Sequence, residues 1–239
     1  MEIQALREEI EALTKRLDKL HGERETEALE AKIYNLRAEL ANSLTHGVGV
    51  VFFLIAIPIL LAYSTIHSSF DYTICCAIFS FGLLITYSSS TLYHSLHHEE
   101  SKRVLRIFDH VSIFLLIGGS YTPVIYHYLP HDVALPFLAG LWAIIIAGCI
   151  FKIFFTGKLK IVSIILYVAL GWLVIFEIKP LTAHMSDINI YLLIAEGFFY
   201  TGGVLFYVWK KLKYNHAIWH LFVLGGSIAH YFIVLNSAT

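Results

Sequence analysis

The sequence predicts an all-α membrane protein that crosses the bilayer seven times behind a charged helical segment. Mean hydropathy is +0.68, and 57% of the residues are hydrophobic against 15% charged, whereas an average soluble domain carries about 25% charged residues. Beyond residue 40, seven apolar segments reach the roughly 20 residues that a helix needs to span a bilayer. The formal net charge of −1 gives no support for a nucleic-acid partner.

Residues 1–40 are predicted to form a unit distinct from the membrane domain of residues 41–239. They hold ten acids and seven bases, and their apolar residues recur in steps of three and four, as in a coiled-coil seam. Two such stripes flank the helix-breaking Gly22. The stripes are Ile3, Leu6, Ile10, Leu13, Leu17 and Leu20, and then Leu29, Ile33, Leu36 and Leu40. A helical hairpin and a coiled coil both fit, and the coiled coil would make the chain a homo-oligomer.

The membrane domain follows as seven spans in order, the first of them beginning directly behind the charged segment. We expect them at roughly residues 47–67, 71–95, 105–128, 132–155, 160–178, 187–209 and 216–236. An odd number of spans places the two termini on opposite sides of the membrane.

Basic residues mark alternate connections between these spans. Of the ten bases after residue 40, nine lie in the second, fourth and sixth connections, and only Lys179 lies elsewhere. These nine are Lys102, Arg103, Arg106, Lys152, Lys158, Lys160, Lys210, Lys211 and Lys213. Because positively charged loops stay in the cytoplasm, we expect a multi-pass protein of the cell membrane with a cytoplasmic N-terminus.

Residues that can bind a metal gather at the cytoplasmic edge of this arrangement. His94 ends the second span, and His216 and His220 open the seventh. The four-residue spacing of the last two puts both imidazoles on one helical face, about 6 Å apart along the axis. Three histidines are typical of a catalytic zinc site, because they leave a coordination position open for water. The sequence therefore predicts zinc as the cofactor.

Ser90 and Asp109 complete the predicted site as its catalytic residues. Ser90 precedes His94 by four residues and so lies on the same face of the second span. Asp109 opens the third span, where its carboxylate could act as a general base or orient a ligand. The alternative is a set of polar residues at the headgroup boundary, since thirteen histidines make chance pairs common.

Glu196 and His230 lie deeper in the predicted bundle. Ionisable residues inside spans are rare and often functional, so Glu196 is a second candidate, although an internally bonded carboxyl fits as well. We expect His230 to be packed or hydrogen-bonded.

An ordered set of motifs resembles the hemolysin III family, the bacterial branch of the progestin and adiponectin receptors. The motifs are Glu39-x-x-Asn42-x-x-Thr45-His46-x-x-Gly49, Ser90-x-x-Tyr93-His94, Phe108-Asp109-His110, Gly119-Ser120-Tyr121-Thr122-Pro123, Tyr200-Thr201-x-Gly203 and His216-Ala217-Ile218-Trp219-His220-Leu221-Phe222. The resemblance covers about residues 39–239. It implies a seven-helix bundle in a bacterial membrane, with zinc held near the cytoplasmic side by His94, His216 and His220. Two features depart from the family: a longer N-terminal segment, and Glu196 where a small residue is expected.

Three functions fit these observations. The first is a zinc-dependent hydrolase of lipid amide or ester bonds, with a ceramide-like or other acyl lipid as substrate, as the resemblance implies. In that mechanism Asp109 takes and returns the proton, and Ser90 helps to hold the tetrahedral oxyanion. The second is a non-enzymatic sensor of membrane state or small lipids in which zinc is structural. The third is membrane permeabilisation, which a helix bundle with its own insertion topology argues against.

Overall fold

The regular elements of the fold are helices throughout the described part of the chain. The computed structural model describes residues 2–18 and 23–238. The α-helices are α1 (Glu2–Leu17), α2 (Glu23–His67), α3 (Phe70–Ser95), α4 (Glu99–Tyr128), α5 (His131–Phe155), α6 (Lys160–Gly171), α7 (Ile178–Ala183), α8 (Asp187–Val208) and α9 (Asn215–Asn236), with a 3₁₀ helix at Leu173–Glu177. Counting α6 to α7 as one span, seven are long and apolar enough to cross a membrane. The predicted all-α, seven-span class is confirmed.

Four helices form the centre of the bundle, and three spans surround them. The helix α3 packs against α2 and α4, α4 also packs against α5, and α8 packs against α9. Because α2 packs against α9 as well, the first and last spans meet. Half of the most apolar window of α3 and of α9 is buried, but only 6% of that of α8. The outer spans therefore present apolar surface to lipid, whereas α2, α3, α4 and α9 can hold polar groups away from it.

Glycines allow the central helices to approach closely. A methyl group added at Gly82 of α3 would lie 3.0 Å from the carbonyl oxygen of Leu115 on α4. One added at Gly49 of α2 would clash with the ring of Tyr87 on α3. Small residues at such crossings are how membrane helices gain packing contacts, and here they bring α2 and α4 against α3.

The N-terminal helix packs on α2 of the same chain. Leu6 and Ile33, one from each predicted stripe, are buried, and Lys32 Nζ lies 2.8 Å from a carboxylate oxygen of Glu9. This is the contact that the hairpin alternative requires, and α2 continues without interruption into the first span. Leu20 and Gly22 lie outside the described residues. Association of copies through this segment stays a prediction.

The fifth span is interrupted, whereas the sequence predicted one continuous helix over residues 160–178. Here α6 ends at Gly171, the 3₁₀ turn follows, and α7 extends the span to Ala183. The Tyr121 hydroxyl of α4 enters the break: it donates toward the carbonyls of Leu170 and Gly171, each 2.9 Å away, and accepts from the Val174 N–H at 2.9 Å. Because backbone groups at membrane depth need partners, this hydroxyl makes the break tolerable.

Candidate metal centre

Three histidines from two helices meet at one end of the bundle. His94 is on the last turn of α3, and His216 and His220 are at the start of α9. One ring nitrogen from each lies within 4.8 Å of those of the other two. The ring centroids are 4.5 to 5.3 Å apart. The structure thus brings together residues that are more than a hundred positions apart in the sequence, and this spacing suits one shared ion.

Two of these rings are oriented as metal ligands would be. His220 Nδ1 lies 3.1 Å from the carbonyl oxygen of Asn42, which can only accept, so Nδ1 carries the hydrogen and Nε2 has the free lone pair. His94 Nδ1 lies 3.1 Å from a carboxylate oxygen of Glu39, which gives the same assignment. Metal-binding histidines commonly donate their second nitrogen in this way to a carboxylate or carbonyl. Both Nε2 atoms are buried without a protein partner.

The partners of these rings lie on one face of α2. Glu39, Asn42 and Thr45 follow each other at three-residue intervals, so they share a helical face. Thr45 Oγ1 lies 3.1 Å from His220 Nδ1, and Glu39 also pairs with Lys102 Nζ at 2.8 Å. The Lys102 ammonium favours the ionised form of Glu39, which strengthens its bond to His94. The three-residue spacing of these residues was the signal in the sequence for this shared face.

His46 is a fourth imidazole at the candidate metal centre, beyond the three histidines that the sequence predicts as ligands. It is buried and stacks on His220 with ring centroids 3.5 Å apart and planes inclined by 15°. Neither of its nitrogens has a protein partner, and neither does the buried hydroxyl of Ser90. His46 therefore supports the ring of His220 and adds polar atoms beside it.

Buried polar atoms without a hydrogen-bond partner are concentrated at the candidate metal centre. Among the described residues, the buried side-chain nitrogens and oxygens without a hydrogen-bond partner are those of His46, Ser90, His94 and His220. Buried polar atoms are nearly always bonded, so a cluster of exceptions needs an explanation. A bound metal with its remaining ligands provides one, because it would use the lone pairs of His94 and His220. The donor set fits zinc, which imidazole nitrogens bind well.

Asp109 lies at the same end of the bundle but outside this cluster of contacts. Its carboxylate is 3.5 Å from Nδ1 of His110, and that nitrogen donates to the Arg106 carbonyl at 2.8 Å. No hydrogen bond or ion pair between described residues joins Asp109 to the three histidines. Ser90 also makes no hydrogen bond to these histidines among the described residues, but it precedes His94 by one turn on α3.

Glu196 and His230 form a separate polar pair deeper in the bundle. His230 Nε2 donates to the Ser120 carbonyl at 2.9 Å, and its Nδ1 lies 2.9 Å from a carboxylate oxygen of Glu196. The two side chains are thus hydrogen-bond partners inside the bundle, as ionisable residues within spans usually are. The expectation that His230 is hydrogen-bonded is confirmed.

Comparisons with known proteins show similarity to one family over most of the chain. The family described as Haemolysin-III related matches residues 34–231. The chain is 39% identical over 203 residues to the Hemolysin-3 homolog of Bacillus subtilis (strain 168), an alignment that covers 85% of this chain and 95% of the relative. It is 38% identical over 210 residues to Hemolysin-3 of Bacillus cereus, with 88% of this chain and 96% of the relative covered.

A more distant similarity reaches the adiponectin receptors. The chain is 23% identical over 223 residues to the Adiponectin receptor protein of Drosophila melanogaster, which covers 83% of this chain and 50% of that protein. No solved structure matches the chain. The family match over most of the chain and the two Bacillus relatives show that this chain belongs to the haemolysin-III related family of multi-pass membrane proteins, as its ordered motifs predicted.

Proposed function

We propose that His94, His216 and His220 bind zinc and that the chain uses this site to hydrolyse an amide or ester bond of a membrane lipid. The observation that carries the proposal is the coincidence of two features. The ring nitrogens of the three histidines lie within 4.8 Å of one another, and the Nε2 atoms of His94 and His220 are buried without partners while their Nδ1 atoms are held by α2.

The chemistry follows from this donor set. Zinc held by His94, His216 and His220 would polarise a carbonyl group and make a bound water more acidic. Glu39 is unsuited to receive a proton, because it already pairs with Lys102 and His94. Asp109 of α4 is a partly buried carboxylate at this end of the bundle, whereas Glu99 and Glu100 of the same helix are exposed. We therefore assign Asp109 the role of proton acceptor and donor. The Ser90 hydroxyl, buried without a partner, would donate to the carbonyl oxygen as charge develops on it.

The position of the three histidines in the membrane-spanning bundle suits a lipid substrate. The histidines lie at one end of the membrane-spanning helices, and the amide or ester bonds of lipids lie near the same boundary between headgroup and acyl chain. Distribution of the basic residues favours the cytoplasmic side for this end. An acyl chain would then lie along the apolar surface of the spans while its polar linkage reaches the histidines.

Turnover of a labelled ceramide by the purified protein tests the proposal. We expect His220→Ala to lose both zinc and activity. Asp109→Asn should keep zinc and lose activity by at least about a hundredfold, as for removal of a general base. His97→Ala, which removes an exposed histidine in the neighbouring loop, is the matched control and should change neither. An Asp109→Asn variant as active as the wild type would rule out the assigned base, and a wild type without zinc would remove the whole proposal.

A structural role for zinc is the second candidate, and one observation favours it. The histidines and their partners lie on α2, α3 and α9, so a bound ion would tie the first and last spans to the second. The chain would then act as a sensor of membrane state or of small lipids rather than as an enzyme. This role predicts that removing zinc with a chelator lowers the Tm while no lipid tested is hydrolysed, whereas the hydrolase predicts loss of turnover.

A further inference from the structure

A buried lysine without a counter-charge lies at the end of α5. Lys152 is 1% exposed, although it occupies the last turn of a membrane-spanning helix. No ion pair joins it to a carboxylate among the described residues. Lysines at helix ends normally extend to water, and buried charges are normally paired. A lysine side chain that is buried here without a paired carboxylate therefore calls for an anion at its ammonium.

A second cation lies beside it. Arg106 of α4 packs against Gly157, which follows Lys152 by five residues just beyond the end of α5. Arg106 also has no ion pair with a described carboxylate, since Asp109, the acidic residue one turn away, lies against His110. Two neighbouring cations repel each other, so their convergence costs free energy that a shared anion would recover.

The loop after α5 holds the arginine in place. Gly157 has φ +81°, and a methyl group added there would lie 2.8 Å from a guanidinium nitrogen of Arg106. Glycine thus gives the loop a left-handed turn and lets the guanidinium pack against its backbone. Exposed Lys158 in the same loop adds positive charge. The cations therefore come from α4, α5 and the loop that joins α5 to α6.

We propose that Arg106 and Lys152 bind a phosphate group, supplied by the headgroup of an anionic phospholipid or by free phosphate. The guanidinium offers paired donors that match phosphate oxygens, and the ammonium adds a point charge. Basic pockets between spans at a membrane boundary are suited to anionic headgroups. Ile153 and Phe154, next to Lys152 on α5, are exposed to lipid, and acyl chains can pack there. Neither Arg106 nor Lys152 is a proposed zinc ligand.

Thermal unfolding of the full-length protein in neutral detergent tests this site. The probes are phosphatidylglycerol, phosphatidylcholine and inorganic phosphate, and the readout is the concentration that gives half of the maximal rise in Tm. We expect phosphatidylglycerol to raise the Tm of the wild type and phosphatidylcholine to leave it unchanged. Lys152→Met and Arg106→Gln should each need about tenfold more phosphatidylglycerol, as for loss of one charge-assisted hydrogen bond.

Arg103→Gln is the matched control, because it removes one charge from an exposed position on the same helix; it should respond as the wild type does. An equal loss in Arg103→Gln, or a full response in Lys152→Met and Arg106→Gln, would show general charge attraction and overturn the proposal. A rise in Tm with inorganic phosphate that depends on Arg106 and Lys152 would assign the site to free phosphate, and a response to the lipid alone would assign it to the headgroup. Arg106 is only half-buried, so its variant reports on the site even where Lys152→Met does not fold.

Discussion

At the scale of single residues, the candidate metal centre depends on side chains that hold the histidine rings. Glu39 is the clearest case, because its carboxylate lies between His94 Nδ1 at 3.1 Å and Lys102 Nζ at 2.8 Å. It fixes which nitrogen of His94 carries hydrogen and therefore which nitrogen faces the other histidines. Such partners contribute to metal affinity although they do not touch the ion.

We therefore expect Glu39→Gln to weaken zinc binding by about 10- to 100-fold, the range seen when partners of metal-binding histidines are removed. The amide keeps the size of the side chain but loses the charge that both His94 and Lys102 use. Competition with a chromogenic chelator would measure the affinity. Glu99→Gln, an exposed residue in the first turn of α4, is the control. Equal zinc affinity in Glu39→Gln and the wild type would contradict this role.

The residues that bind the ion could be predicted from the sequence, whereas most of their supports could not. Hydropathy and loop charge fixed the depth of His94, His216 and His220, since a span begins or ends beside each. The bond from His220 to the Asn42 carbonyl depends on how α2 is rotated against α9, and hydropathy says nothing about rotation. The contact of His46 could not be predicted for the same reason, because its ring stacks on that of His220 from another helix.

At the scale of elements, the interrupted fifth span shows a limit of hydropathy. The apolar run through residues 160–178 predicts one helix, and apolar character does not report where the backbone hydrogen bonds are broken. Pro180 was the available signal, because proline lacks an N–H and crowds the carbonyl four residues earlier. What makes the break tolerable is the Tyr121 hydroxyl from another helix, and a contact between two helices cannot be read from the sequence of one.

Tyr121→Phe tests this account of the break. The change removes the hydroxyl that faces the Leu170 and Gly171 carbonyls and the Val174 N–H, and we expect a loss of about 1–3 kcal/mol in the free energy of unfolding. A lower Tm in detergent and faster hydrogen exchange at the Val174 amide would show it. Tyr191→Phe removes the same atom from an exposed residue of α8 and should change neither. Unchanged exchange at Val174 in Tyr121→Phe would contradict the role of the hydroxyl.

At the scale of the whole molecule, the basic residues and the histidines of the candidate metal centre lie at the same end of the bundle. The histidines, Arg106, Lys152 and the basic loop between α8 and α9 all lie where α3 and α5 end and α4 and α9 begin. The opposite end has the short connections between α2 and α3 and between α4 and α5. Because translocating basic loops is unfavourable, the end with nine bases is expected in the cytoplasm, and both proposed sites would then face the inner leaflet.

Labelling of single cysteines in intact cells tests this orientation. Lys158→Cys places an exposed thiol in the loop between α5 and α6, and Asp132→Cys places one at the start of α5, at the other end of the same span. A membrane-impermeant maleimide should label Asp132→Cys in intact cells but Lys158→Cys only after lysis. The native thiols of Cys75 and Cys76 are buried, and Cys149 lies within α5, so the wild-type chain sets the background. Labelling of Lys158→Cys in intact cells would place the histidines at the outer face, and a hydrolase there would act on lipids of the outer leaflet.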